Sequence, residues 1–189
     1  LKLLSLQGMV DCRPNGGGFV SDLSAGELVL MFEAIGELEA SCARYSAMRI
    51  EDAQLQTLQD LHMQSRQAMR AEDHERYNQL NESWHQVIIE SCGNPMLIEL
   101  TLSLRYRVAP FRRSQFRQLE RMSESFEEHA TILDALLAHD VSTCQRVMRA
   151  HLLSARSAST RAAQLTAQTW PLRSWSGDRR LCVRSSHGN

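Results

Sequence analysis

From Ser24 to about Ala155, apolar residues return at intervals of three and four, the spacing that lays one stripe along an α-helix. Only two prolines and three glycines interrupt this stretch. The pattern predicts six helices, over residues 24–49, 52–71, 74–91, 95–116, 125–138 and 141–158. Several starts have their own chemistry. Asn94 ahead of Pro95 offers a side-chain cap and a first-turn residue that lacks the N–H a helix start leaves unused. Ser125-Phe126-Glu127-Glu128 has the spacing of a capping box, and Asp140 can cap the last helix after a break at His139. Six helices with short connections predict an all-α antiparallel bundle.

The flanks read differently. Leu1 to Gln7 fits the end of a helix stopped by Gly8, and Met9 to Cys12 with Phe19-Val20 fit two short strands around the Pro14 to Gly18 turn. Residues 159–189 mix Ser, Arg and Gly without helical periodicity, which predicts a disordered basic tail. Three regions follow: 1–23, the helical domain 24–158, and the tail 159–189.

Composition narrows the class. With 43% hydrophobic and 23% charged residues among 189, the chain falls with soluble globular proteins. No apolar run reaches membrane-spanning length, so no membrane association and a cytoplasmic location are expected. Five scattered cysteines without C-x-x-C spacing argue against a disulfide framework or a thiolate zinc site. The net charge of −1 conceals a centre of −6, over residues 24–155, and a C-terminal stretch of +5. Affinity for DNA comes largely from Lys and Arg neutralising phosphates, so the acidic centre is a poor DNA surface.

Three of the seven histidines suggest a site, while His62, His74, His139 and His187 sit in polar or terminal settings that suit solvated roles. Asn81 and His85 are four apart on one predicted helix, on the same face. His129 and His151 each lie eleven residues from Asp140, so an antiparallel hairpin brings both to one level, roughly 16 Å from the turn. Both share a helix face with apolar residues. Three imidazoles and a carboxamide oxygen suit a divalent transition metal. Being neutral, they would leave its charge open to an anionic ligand such as a carboxylate. Ordinary core histidines, bonded to backbone or acids, fit the same spacing.

Six arginines between Arg105 and Arg121 have only Glu120 among them, which suits a solvated face or a partner surface. Arg105 lies on the inner part of its helix near Leu102 and Tyr106, where its guanidinium could meet a bound carboxylate. Glycine-rich phosphate loops and a G-x-S-x-G elbow are missing, which removes support for nucleotide binding and serine hydrolysis.

Four ordered motifs carry a resemblance. Asn81-Glu82-Ser83-Trp84-His85, Ser91-Cys92-Gly93-Asn94-Pro95, Glu128-His129-Ala130-Thr131-Ile132-Leu133-Asp134-Ala135 and Met148-Arg149-Ala150-His151-Leu152 resemble motifs of the FCD effector-binding domain. That domain belongs to the FadR subfamily of GntR transcriptional regulators. The resemblance spans about residues 24–155 and implies Asn81, His85, His129 and His151 as ligands of a metal at the floor of an organic-acid pocket. Leu4 to Val20 is similar to the end of a recognition helix and the β-wing of the family's winged helix-turn-helix. By that resemblance Asn15, Gly16 and Gly17 form the wing turn nearest DNA, although Gly16 stands where an arginine is usual. Ile35 likewise replaces an arginine often found on the first effector-domain helix.

The expected function is therefore that of a metabolite-responsive, homodimeric DNA-binding regulator and not an enzyme, with zinc, or alternatively nickel, as cofactor and a small organic acid as effector. Operator DNA is expected as a partner of the complete regulator, not a specific partner of a chain lacking most of the base-reading helix. A metal-dependent hydrolase using the three histidines is the competing reading.

Overall fold

A computed structural model of the protein describes residues 10–13, 17–20, 25–116 and 118–169. Two strands, β1 (Val10–Arg13) and β2 (Gly17–Val20), pair antiparallel with Val10 opposite Val20 and Arg13 opposite Gly17. Six helices follow: α1 (Ala25–Arg49), α2 (Asp52–Arg70), α3 (His74–Ser91), α4 (Pro95–Gln115), α5 (Leu119–Leu137) and α6 (Val141–Thr169). The expected helix end at Leu1 to Gln7 and the wing residues Asn15 and Gly16 lie outside the described residues, as do residues 170–189.

The longest helices, α1 and α6, pack along each other, with α4 against both; α3 joins α1 and α2, and α5 joins α2 and α6. Phe32, Ile35, Ala43 and Ala47 on α1 interlock with Ile132 and Leu136 on α5 and with Cys144, Met148 and Leu152 on α6. Trp84 and Ile88 bring α3 into the same core. A second apolar cluster, with Tyr77, Phe116, Met122 and Phe126, closes the α3–α5 side.

The connections explain the turns. Asn94 Oδ1 accepts the N–H groups of Met96 and Leu97 at 3.2 and 3.3 Å, as its place before Pro95 predicts. Just before it Gly93 takes φ +63°, a left-handed value that favours glycine after a helix end. Asp140 Oδ1 accepts Thr143 N–H at 3.0 Å and caps α6, after His139 has turned the chain at φ 49°.

Two helix boundaries differ from the sequence reading. Helix α5 starts at Leu119, six residues before the expected capping box, because Met122 and Phe126 extend its apolar stripe upstream. Ser125 is consequently buried inside the helix, with no hydrogen-bond partner for its Oγ. Helix α6 continues to Thr169, so the first part of the stretch expected to be disordered is helical. No described helix is long and apolar enough to cross a membrane.

Candidate metal centre

Helices α3, α5 and α6 each contribute one imidazole to a single point in the interior. One ring nitrogen from each of His85, His129 and His151 lies within 4.8 Å of the other two, and all three residues are buried. The hairpin geometry read from Asp140 places His129 and His151 at one level, and their ring centroids are 4.8 Å apart. Such a three-histidine cluster can coordinate a metal ion.

The outer nitrogens fix the rings. His85 Nδ1 is 2.7 Å from Glu39 Oε2, and His151 Nδ1 is 2.7 Å from Glu128 Oε2. Burial, with Arg105 and Arg112 nearby, depresses the pKa of His85 to about 3 despite the raising effect of Glu39. Burial also lowers that of His151, against the pull of Glu128. Both rings are therefore neutral near pH 7, and each Nδ1–H donates to its carboxylate. Each Nε2 is left as a bare lone pair. These two nitrogens face each other at 3.2 Å, and with both Nδ1–H groups turned to carboxylates neither neutral ring has a proton to place between them. Nitrogens about 2.0–2.1 Å from a tetrahedral zinc lie about 3.3 Å apart, so a shared cation turns the repulsion into coordination.

Two further groups face the same need. His129 Nε2 is buried with no hydrogen-bond partner, and burial followed by the neighbouring His151 and His85 holds its pKa well below the usual imidazole value. Trp84 stacks on this ring at 4.0 Å, with 7° between the planes, and sets its orientation. Asn81, one turn before His85 and 2% exposed, has neither Oδ1 nor Nδ2 bonded. An amide buried without partners loses roughly 1–3 kcal/mol.

Carboxylates that the sequence reading did not single out support the histidines. Glu39 is a charged residue in the inward stripe of α1, between Ile35 and Ala43, and is fully enclosed. Its Oε1 accepts from Arg105 Nη1, and from Arg112 Nη1 at 3.3 Å. Burial alone would raise the pKa of this carboxyl; Arg105, His85 and Arg112 outweigh it and hold it well below the ordinary value. Glu128 accepts from Arg121 Nη2 at 2.8 Å, and bonds from His151 and Arg121 overcome its burial to depress its pKa to about 2. The arginine cluster is thus no simple solvated face, since Arg105 and Arg112 turn inward to Glu39 on α1 and the buried Arg121 pairs with Glu128 on its own helix. An acid at a core position of α1 was the available signal.

Of the other histidines, His62 is buried and stacks on Phe126 at 4.0 Å, contrary to its expected solvated role. Through Nδ1, His74 and His139 bond the backbone oxygens of Phe116 and Ala47. Gly17 opens β2.

A six-helix bundle with a buried centre of three histidines, two of them backed by carboxylates, defines a helical domain able to hold a metal. The FCD domain matches residues 30–154, and the chain belongs to that family, found in GntR-type transcriptional regulators. It is 26% identical over 144 residues to the HTH-type transcriptional repressor GlaR of Escherichia coli K12, covering 71% of this chain and 65% of that protein. The repressor RspR of the same organism is 24% identical over 150 residues, covering 79% of this chain and 65% of that protein. The chain thus spans about two thirds of the length of these relatives. Among solved structures, E. coli McbR/YncC has a TM-score of 0.73 at 20% identity, covering 88% of this chain and 77% of that one. A GntR family member from Pseudomonas syringae has a TM-score of 0.60 at 18% identity, covering 88% and 69%. Both of these curated relatives, GlaR and RspR, are named as transcriptional repressors.

Proposed function

We propose that this chain is the metal-dependent, small-carboxylate-sensing part of a FadR-subfamily GntR regulator. Asn81, His85, His129 and His151 hold a divalent transition metal, zinc in first place and nickel in second. The observation that carries this reading is the convergence of three buried ring nitrogens within 4.8 Å, with the Nε2 atoms of His85 and His151 at 3.2 Å and His129 Nε2 without a hydrogen bond. Neutral ligands leave the ion's charge uncompensated, so the carboxylate of a small organic acid gains by taking an open coordination position. Arg105 is the guanidinium we assign to the effector as well, reached by exchange with Glu39.

Residues 1–23 form the end of a winged helix-turn-helix, with the β1–β2 hairpin as its wing and Asn15, Gly16 and Gly17 at the wing turn. Residues 24–158 are the effector domain. The complete regulator acts as a homodimer, since two equivalent heads suit two operator half-sites, and the effector changes their spacing by favouring one arrangement of the domains.

The test is thermal denaturation with a panel of organic acids, on zinc-loaded and on chelator-treated protein. A ligand that binds only the folded form raises the melting temperature by mass action. An acid-dependent rise that chelator removes, and that His129→Ala loses, supports the proposal. A rise unaffected by chelator, or retained in full by His129→Ala, overturns it.

A further inference from the structure

Helix α4 is apolar on both sides. Its inner stripe runs through Thr101, Arg105, Val108 and Arg112, all buried against the bundle. On the opposite side Met96, Leu100 and Tyr106 are 66%, 56% and 58% exposed. These are three of the nine large apolar side chains exposed among the described residues, so exposed apolar surface concentrates on this helix. A helix that is hydrophobic all round is normally covered on both faces.

Two opposite charges share that outer face. Glu99 is exposed and Arg107 half-buried, and among the described residues neither makes an ion pair or a side-chain hydrogen bond. Arg107 Nε is buried without a partner. The two cannot satisfy each other within one chain, because eight residues of helix set them about 12 Å apart.

Their spacing is symmetric about Ser103. Glu99 and Arg107 lie four residues either side of it, and Leu100 and Tyr106 three residues either side. Ser103 is itself exposed, and its small side chain lets a second helix come close.

We propose that the outer face of α4 is a homodimer surface, on which a second copy of this chain packs its own α4 antiparallel about a two-fold axis at Ser103. Each residue before Ser103 then stands level with the residue equally far after it in the other copy. Glu99 comes level with Arg107 of the second copy, and Leu100 with Tyr106 of the second copy. The two-fold repeats both pairings, so the seam holds two ion pairs and two apolar contacts. A parallel arrangement would set like charges beside each other. The face is complementary to itself reversed, which selects a second copy over an unrelated protein. Tyr106 also lines a cavity of about 140 Å³ with Arg105 and Arg112, so the seam runs past the guanidinium assigned to the effector. The proposal rests on the homodimer reading above and names its face; it requires neither metal nor effector.

Sedimentation velocity of the full chain over a range of concentrations tests this. The wild-type chain should be a dimer. Ser103→Arg places two cations on the two-fold axis, at a position exposed in the single chain, and should be monomeric with the helical circular dichroism of the wild type. Glu99→Arg and Arg107→Glu should each weaken dimerisation about tenfold, and the double charge swap should return it to within about threefold of the wild type. A monomeric wild-type chain overturns the proposal and leaves the metal and effector reading to its own thermal test. A dimer undiminished by Ser103→Arg, or a double swap no tighter than the single variants, overturns this face and leaves the homodimer reading standing.

Discussion

His151 donates from Nδ1 to Glu128 at 2.7 Å while its Nε2 stands 3.2 Å from that of His85. A carboxylate on the outer nitrogen fixes the tautomer and makes the inner nitrogen a better ligand. Glu128→Gln keeps an acceptor at that place and removes its charge. Zinc affinity, read by competition with a chromophoric chelator, should fall about 10–100-fold while the helical signal in circular dichroism is retained. Unchanged affinity would show that Glu128 serves only Arg121.

Glu39 matters for stability before it matters for metal. Its carboxylate is the shared acceptor of two inward-turned arginines and is itself 1% exposed. Glu39→Gln leaves both guanidiniums without that charge, and breaking a buried charge pair costs about 3–5 kcal/mol. Urea denaturation of chelator-treated protein should show a loss of that order; a change under about 1 kcal/mol would mean that water already screens the arginines.

Acid should destabilise the metal-free protein in two stages. His85, His129 and His151 have folded pKa values below 6.5, that of His85 at about 3, so as pH falls below about 6.5 the unfolded chain takes up protons that the folded one refuses. Each imidazole then contributes a slope of about 1.4 kcal/mol per pH unit. Glu39 and Glu128, held below 4.5, add their loss as pH drops further, for Glu128 down to about 2. Urea midpoints measured from pH 8 to pH 4 should be flat at the upper end and decline below about 6.5. A profile flat down to pH 5 would contradict the buried neutral imidazoles.

Ser125 and Asp140 separate two ideas of where helices begin. Replacing an N-cap with alanine costs about 1 kcal/mol. Asp140→Ala should show that loss, because Asp140 Oδ1 receives the Thr143 N–H. Ser125→Ala should cost clearly less than that, since its Oγ sits in mid-helix and caps no backbone N–H. Equal losses in the two variants would return the start of α5 to the capping box.

Much of the centre was legible in the sequence because its determinants are local. The equal distances of His129 and His151 from Asp140 depend only on helix rise and one tight turn. The arginines were not legible in the same way. Whether Arg105 and Arg112 face water or an acid depends on Glu39, which approaches from a helix more than sixty residues earlier in the chain. Periodicity says that Glu39 points inward; only the packing of α1 against α4 says what it meets. The start of α5 was missed because a strong local cap signal at Ser125 competes with apolar contacts from Met122 and Phe126 to other helices, and the contacts prevail.

The position of Glu39 within α1 has a mechanical consequence. From Glu39 to the first residue of the helix, Ala25, the rod measures about 21 Å. Pivoting α1 by about 10° at Glu39 would swing its first turn by about 4 Å, by the rise of an ideal helix. Four residues of sequence separate that end from Val20. An atomic-scale adjustment beside His85 thus has a ready lever toward the amino-terminal hairpin.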